Sequence, residues 1–179
     1  MDISVIVDNA VNLYKHGVKA DIALIYGLST GHFNPYDMVK LTASTGKILE
    51  PDGILLVEDA DRIYNIFYSR GYKLVLPEYA GEDRIVLSVH AGYDVRKGVF
   101  KRITVDLTTM NRVCNEVHFW DVASSAAILW VFFNDVDFIP IGTQTRGILI
   151  ARKPRGIDPN QYQAEPTITK PSTQASILF

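Results

Sequence analysis

At 179 residues, with 47% hydrophobic and 21% charged side chains, the chain has the length of one domain and enough apolar content for an ordinary core. A formal net charge of -2 argues against general affinity for nucleic acid or anionic lipid. A lone cysteine, Cys114, excludes an internal disulfide framework, and no signal peptide or membrane-length apolar run is visible, so a soluble, cytoplasmic protein is expected, with no nucleic-acid or membrane partner.

In chain order, the β-branched run at residues 3–7 predicts a strand with a polar tip at Asp8-Asn9. Residues 9–19 form a brief connection of a helical turn or two, stopped at Gly17. Residues 22–26 predict a second buried strand, and Gly27-Leu28-Ser29-Thr30-Gly31 a loop at its end. Asn34 before Pro35 is a helix start, and Met38, Leu41, Thr42, Thr45 and Leu49 recur at helical spacing. Pro51-Asp52-Gly53 predicts a tight turn in which glycine takes a positive φ. The unbroken run Ile54-Leu55-Leu56-Val57 then predicts a strand covered on both faces, which Glu58 and Asp59 end with solubilising charge. Helix, turn and buried strand in that order form the α-to-β step of a doubly wound sheet.

Ile63, Ile66 and Phe67 predict a short helix closing at Gly71, followed by an extended piece at residues 72–76. Strand-period alternation around residues 85–90 and 102–107 predicts a hairpin, placed at 84–108, with one wet face, inserted as a lid. Asp121 is placed to cap an apolar helix of about 122–133, expected to be deeply packed. Residues 138–141 and 147–151 predict a closing antiparallel strand pair. The expected organisation is one α/β domain over 1–153 and a flexible tail, rich in Pro, Gln, Thr and Ser, over 154–179.

The order of these pieces resembles the later portion of a class I S-adenosylmethionine-dependent methyltransferase, over about residues 3–155. Val5-Ile6-Val7-Asp8-Asn9-Ala10 resembles that family's third strand, and Ala20-Asp21-Ile22-Ala23-Leu24-Ile25-Tyr26-Gly27-Leu28-Ser29 its fourth. Leu49-Glu50-Pro51-Asp52-Gly53 is similar to the family's L-x-P-G-G turn, with Asp in place of the first Gly. Val136-Asp137-Phe138 and residues 147–152 resemble its last two strands, and His118-Phe119-Trp120 its aromatic lead-in to the fifth helix. The resemblance implies a Rossmann-like sheet lacking its first two strands, with an inserted hairpin and a terminal antiparallel pair. No G-x-G-x-G loop is present, and the ribose-binding acid is missing with it. A partner chain, a second copy, or an inward slide of residues 3–7 would then have to complete the sheet, because backbone donors and acceptors do not stay unpaired in a sheet interior.

By the same resemblance, S-adenosylmethionine is the expected cofactor, with Asp8 and Asn9 at its adenine and the backbone of Gly27, Leu28 and Ser29 beside its methionine part. Each residue also has a plainer reading: Asp8 as a cap after a strand, Gly27-Leu28-Ser29 as a bare turn. His32, just past a strand tip, is the candidate base for a substrate proton, set against an ordinary surface histidine. His118, Phe119 and Trp120 are candidate substrate-wall residues, set against core aromatics. His16, His90 and Cys114 show no ligand spacing, so no metal site is expected. Two functions remain open: methyl transfer to a small-molecule acceptor, by the whole enzyme or a partial form of it, and a non-catalytic subunit or relict that associates through an exposed sheet edge.

Overall fold

The computed structural model describes residues 3–170. Residues 3–9 form no strand, which corrects the first expected element; Val5 and Val7 are 81% and 96% exposed. A mostly β-branched run has the propensity for a strand, but propensity without a paired neighbour does not hold one in water. The link that follows is a 3-10 helix, Ala10–His16, capped by the Asn9 side chain and ended by Gly17 at φ +66°. It packs on the first α-helix, where the Tyr14 amide donates to Ser44 Oγ.

Strand β1 (Ala20–Ile25) runs parallel to β2 (Leu49–Ala60), and between them lies helix α1 (Pro35–Ile48). Asn34 caps α1 as expected, its side chain accepting from the Tyr36 and Asp37 amides. Gly53 departs from expectation. The chain passes from helix to strand without a positive φ there, and β2 pairing shifts register between Ala20 and Ile22 of β1. Glycine is required by space instead: a Cβ would lie 2.8 Å from the Glu50 carbonyl oxygen.

Helix α2 (Val122–Phe132) leads into β7 (Phe133–Ile141), which turns at Gly142 into β8 (Thr143–Pro154). The main sheet has the order β1-β2-β8-β7, with β8 antiparallel to both neighbours. Both α-helices lie on one face of it, over a core of Met38, Leu41, Leu55, Val57, Leu129, Phe133, Leu149 and Ala151. Opposite them Ile22 and Leu24 are 61% and 59% exposed, and Ile54 and Leu56 are half-buried, so β2 is covered on one face rather than two. Helix α2 is likewise packed on one side: Ser125, Leu129 and Phe132 are buried while Trp130 and Val131 are exposed.

In chain order, a π-helix, Tyr64–Arg70, and a second, fully antiparallel sheet come between β2 and α2. Its strands are β3 (Val75–Ala80), β4 (Ile85–Asp94), β5 (Val99–Asp106) and β6 (Arg112–Val117). The hairpin at 84–108 is thus the middle of a four-stranded sheet. The alternation resolves into one inner and one outer face: Val86, Ser88 and Arg102 are turned in, whereas Ile85, Val89 and Ile103 are exposed. Arg102 is held on the inner face, where its guanidinium donates to Ser88 Oγ and O, Tyr72 Oη and the Lys73 carbonyl. The described part of the tail differs from the flexible segment expected: Pro159 is buried, Tyr162 meets Phe132 edge-on at 5.5 Å, and Glu165 pairs with Lys40. Residues 171–179 of the expected tail lie outside the described residues.

Candidate functional site

In open α/β sheets ligands gather beyond the carboxyl ends of the parallel strands. Here those ends are Gly27-Leu28-Ser29 after β1 and Glu58-Asp59-Ala60 closing β2. Gly27 has φ +76° and nothing within 4 Å of where a Cβ would be, and Leu28 also has a left-handed φ, of +56°. This raised backbone is held by the acids of β2, which were expected to face solvent and are instead buried. Glu58 accepts from the Gly27 amide (2.9 Å) on one oxygen and from Arg146 on the other. These two contacts, Arg146 first, hold the Glu58 carboxyl below its ordinary range.

Asp59 is fully buried and fully used. Its Oδ1 accepts from Thr30 Oγ1 (2.8 Å), Arg62 (2.9 Å) and the Ala60 amide (2.9 Å), and its Oδ2 from Ser125 Oγ (2.6 Å). The Arg62 guanidinium also donates to Thr30 Oγ1 and to the Leu28 carbonyl. One buried ion pair therefore fixes the loop after β1, the tip of β2 and the start of α2 together. Local spacing could reveal only the i, i+3 relation of Asp59 and Arg62; the other partners lie 29 and 66 positions away.

The expected site residues separate into three groups. Gly27, Leu28 and Ser29 stand together at the strand tip, with Ser29 Oγ donating to the Tyr26 carbonyl. Asp8 and Asn9 belong to the capped 3-10 helix: Asp8 is bound to His16 (2.8 Å) and to the Asn9 amide, which lowers its pKa, and Asn9 accepts from the Val11 amide. His32 is exposed in the 3-10 helix Ser29–His32, within the same loop. Of the aromatic trio, Trp120 is a core bracket, 2% exposed, its Nε1 shared between the Thr30 and Phe33 carbonyls. His118 donates from Nδ1 to the Gly98 carbonyl (2.6 Å) and is packed against Trp120; burial lowers its pKa. Phe119 joins Phe67, Tyr72 and Phe100 in an aromatic cluster that walls a cavity of about 280 Å³ between the π-helix and the second sheet.

A second cavity, of about 420 Å³, opens at the strand tips themselves, bounded by Leu28, Ala60 and the π-helix. Among the described residues no group of three or more His, Cys, Asp or Glu side chains is arranged to hold a metal. No helix there is long and apolar enough to cross a membrane.

The sheet order, the parallel pair with its helix, and the antiparallel closing strands are consistent with a class I methyltransferase fold. The chain is similar to the CcbJ methyltransferase from Streptomyces caelestis, with a TM-score of 0.58 at 8% identity over 76% of this chain and 58% of that one. It is also similar to an S-adenosylmethionine-dependent methyltransferase from Clostridium acetobutylicum ATCC 824, with a TM-score of 0.55 at 11% identity over 75% and 58% of the two chains. The chain spans about six-tenths of the length of the solved structures it matches. No family model and no curated protein matches the sequence.

Proposed function

We propose that this chain carries the acceptor-side portion of an S-adenosylmethionine-dependent methyltransferase acting on a small molecule. The observation that carries the reading is the raised Gly27-Leu28-Ser29 backbone at the end of β1, clamped from below by Glu58 and Arg62. The resemblance would put the methionine part of the cofactor beside this backbone, and glycine leaves room for close approach there. S-adenosylmethionine supplies a methyl group on a sulfonium, an electrophile that needs positioning and exclusion of water more than a metal or a covalent nucleophile. The residues present fit one wall of such a pocket. Gly27 and Leu28 would border the cofactor, Phe119 and the aromatic cavity would receive part of the acceptor, and His32 would take up the acceptor proton. The adenine side fits less well, because Asp8 and Asn9 are spent on their own helix cap.

Titration calorimetry with S-adenosylmethionine tests the reading. Heat that is diminished by Gly27→Val supports it, and no heat at millimolar cofactor overturns autonomous binding. A second reading is favoured by the uncovered face and outer edge of β1, where Ile22 and Leu24 are exposed. On this reading the chain is a subunit whose sheet is completed by a partner chain or a second copy, catalytic or not. Sedimentation separates the two: a monomer at micromolar concentration, binding cofactor alone, removes the need for a partner.

A further inference from the structure

The cavity at the strand tips is lined by three arginines, Arg62, Arg70 and Arg146, and by no carboxylate. Two of these cations are balanced from behind by acids of β2: Arg62 by Asp59 and Arg146 by Glu58. Arg70, exposed at the end of the π-helix, has no ionic or hydrogen-bonding partner among the described residues. Positive charge therefore exceeds negative charge at the cavity wall by one. Donors exceed acceptors as well. A guanidinium carries five N–H groups; Arg146 spends one on Glu58, and Arg62 makes three bonds, to Asp59, Thr30 and Leu28. Thr145 donates to Asn65 Oδ1 (3.3 Å), which leaves the Asn65 amide nitrogen as a further unspent donor.

We propose that this cavity binds an oxyanion, a carboxylate or phosphate group, carried by the methyl acceptor. Planar forked donors on a concave wall match such groups in charge and in shape, and they do so better than they match a neutral acceptor. Leu28 lines the same cavity and belongs to the loop assigned to the cofactor, so a group held here would be anchored beside the transferred methyl. The aromatic cavity shares Ile66 and Arg70 with this one, which places the apolar body of the acceptor against Phe119 and Tyr72 while its acidic end meets the arginines. The anion site stands without S-adenosylmethionine; only its assignment to the acceptor rests on the methyltransferase reading.

Titration calorimetry of the chain with sodium phosphate, and separately with sodium acetate, each against sodium chloride at matched ionic strength, tests it. At least one of the two is expected to bind more tightly than chloride, phosphate marking a phosphorylated acceptor and acetate a carboxylated one. Arg70→Gln is expected to weaken that binding about tenfold, as loss of a charge-assisted contact does. Its circular dichroism should be unchanged, since the side chain is exposed. Arg112→Gln, on the exposed strand β6, should bind as the parent does. Heats no greater than chloride's for both anions, or undiminished affinity in Arg70→Gln, would overturn the proposal. Cofactor binding without anion binding sinks the anion site alone; anion binding without cofactor binding overturns autonomous cofactor binding and leaves the anion site standing.

Discussion

Asp59 shows how a single side chain can be misjudged from its neighbours in sequence. Beside Glu58 at the end of an apolar run it reads as charge that ends a strand in water. In the fold it is a carboxylate with no exposure and four hydrogen-bond donors. What decides between the two is the presence of Thr30, Arg62 and Ser125 around it, and only Arg62 stands close enough in sequence for a local pattern to show it. A buried charge with full partners is costly to disturb, because removing one member strands the others. Asp59→Asn is accordingly expected to lower stability by about 2–4 kcal/mol in urea unfolding, with the slope unchanged. Gly147 is a second residue whose identity is set by space. A Cβ there would sit 2.2 Å from the Ile139 carbonyl and against the Phe138 ring, inside the β7–β8 ladder. Gly147→Ala should therefore destabilise by at least about 2 kcal/mol, read as a lowered urea midpoint, unless the strands part.

Elements governed by local rules were the legible ones. Asn34 with Pro35, Asp121 and Gly17 mark helix ends because a cap needs only its own few residues. The strand expected at residues 3–7 failed because a strand is a relation between two chain segments, and the alternation at 85–90 left open which face turns inward, a choice that Arg102 and Ser88 make in the fold. The connection between the two sheets makes a pH prediction. His118 is placed between them, with Arg62 and Asp121 nearby, and burial keeps its folded pKa below the ordinary 6.5. The unfolded chain then takes up the proton first. The contribution of neutral His118 is present above about pH 6.5 and is lost as the pH falls through and below that value. The urea midpoint should drop between pH 7.5 and 5.5, and the drop should be smaller in His118→Asn.

At the scale of the whole molecule, the main sheet is clothed on one side. On the other side the row Leu24–Leu56 continues in register through Ile150 of β8 to Asp137 of β7, and the row Ile22–Ile54 through Arg152 to Asp135, so the apolar part lies over β1 and β2. An apolar face of this kind marks association or aggregation. Ile22→Lys with Leu24→Lys should leave the urea midpoint within experimental error, because neither side chain is buried, while reducing dye binding and self-association at high concentration. The fold class was readable because the order of helix, loop and strand survives in the sequence; the arginine-lined cavity was not, because its members come from three distant stretches of chain. Ser125 offers a way to measure how tightly those stretches are yoked. Its hydroxyl reaches through the core to the carboxylate that also steadies Thr30 and Arg62, so Ser125→Ala, on a helix that never touches solvent at that point, should quicken amide hydrogen exchange at residues 28–30. A methyl-sized change on one side of the molecule would then be heard as looser backbone on the other.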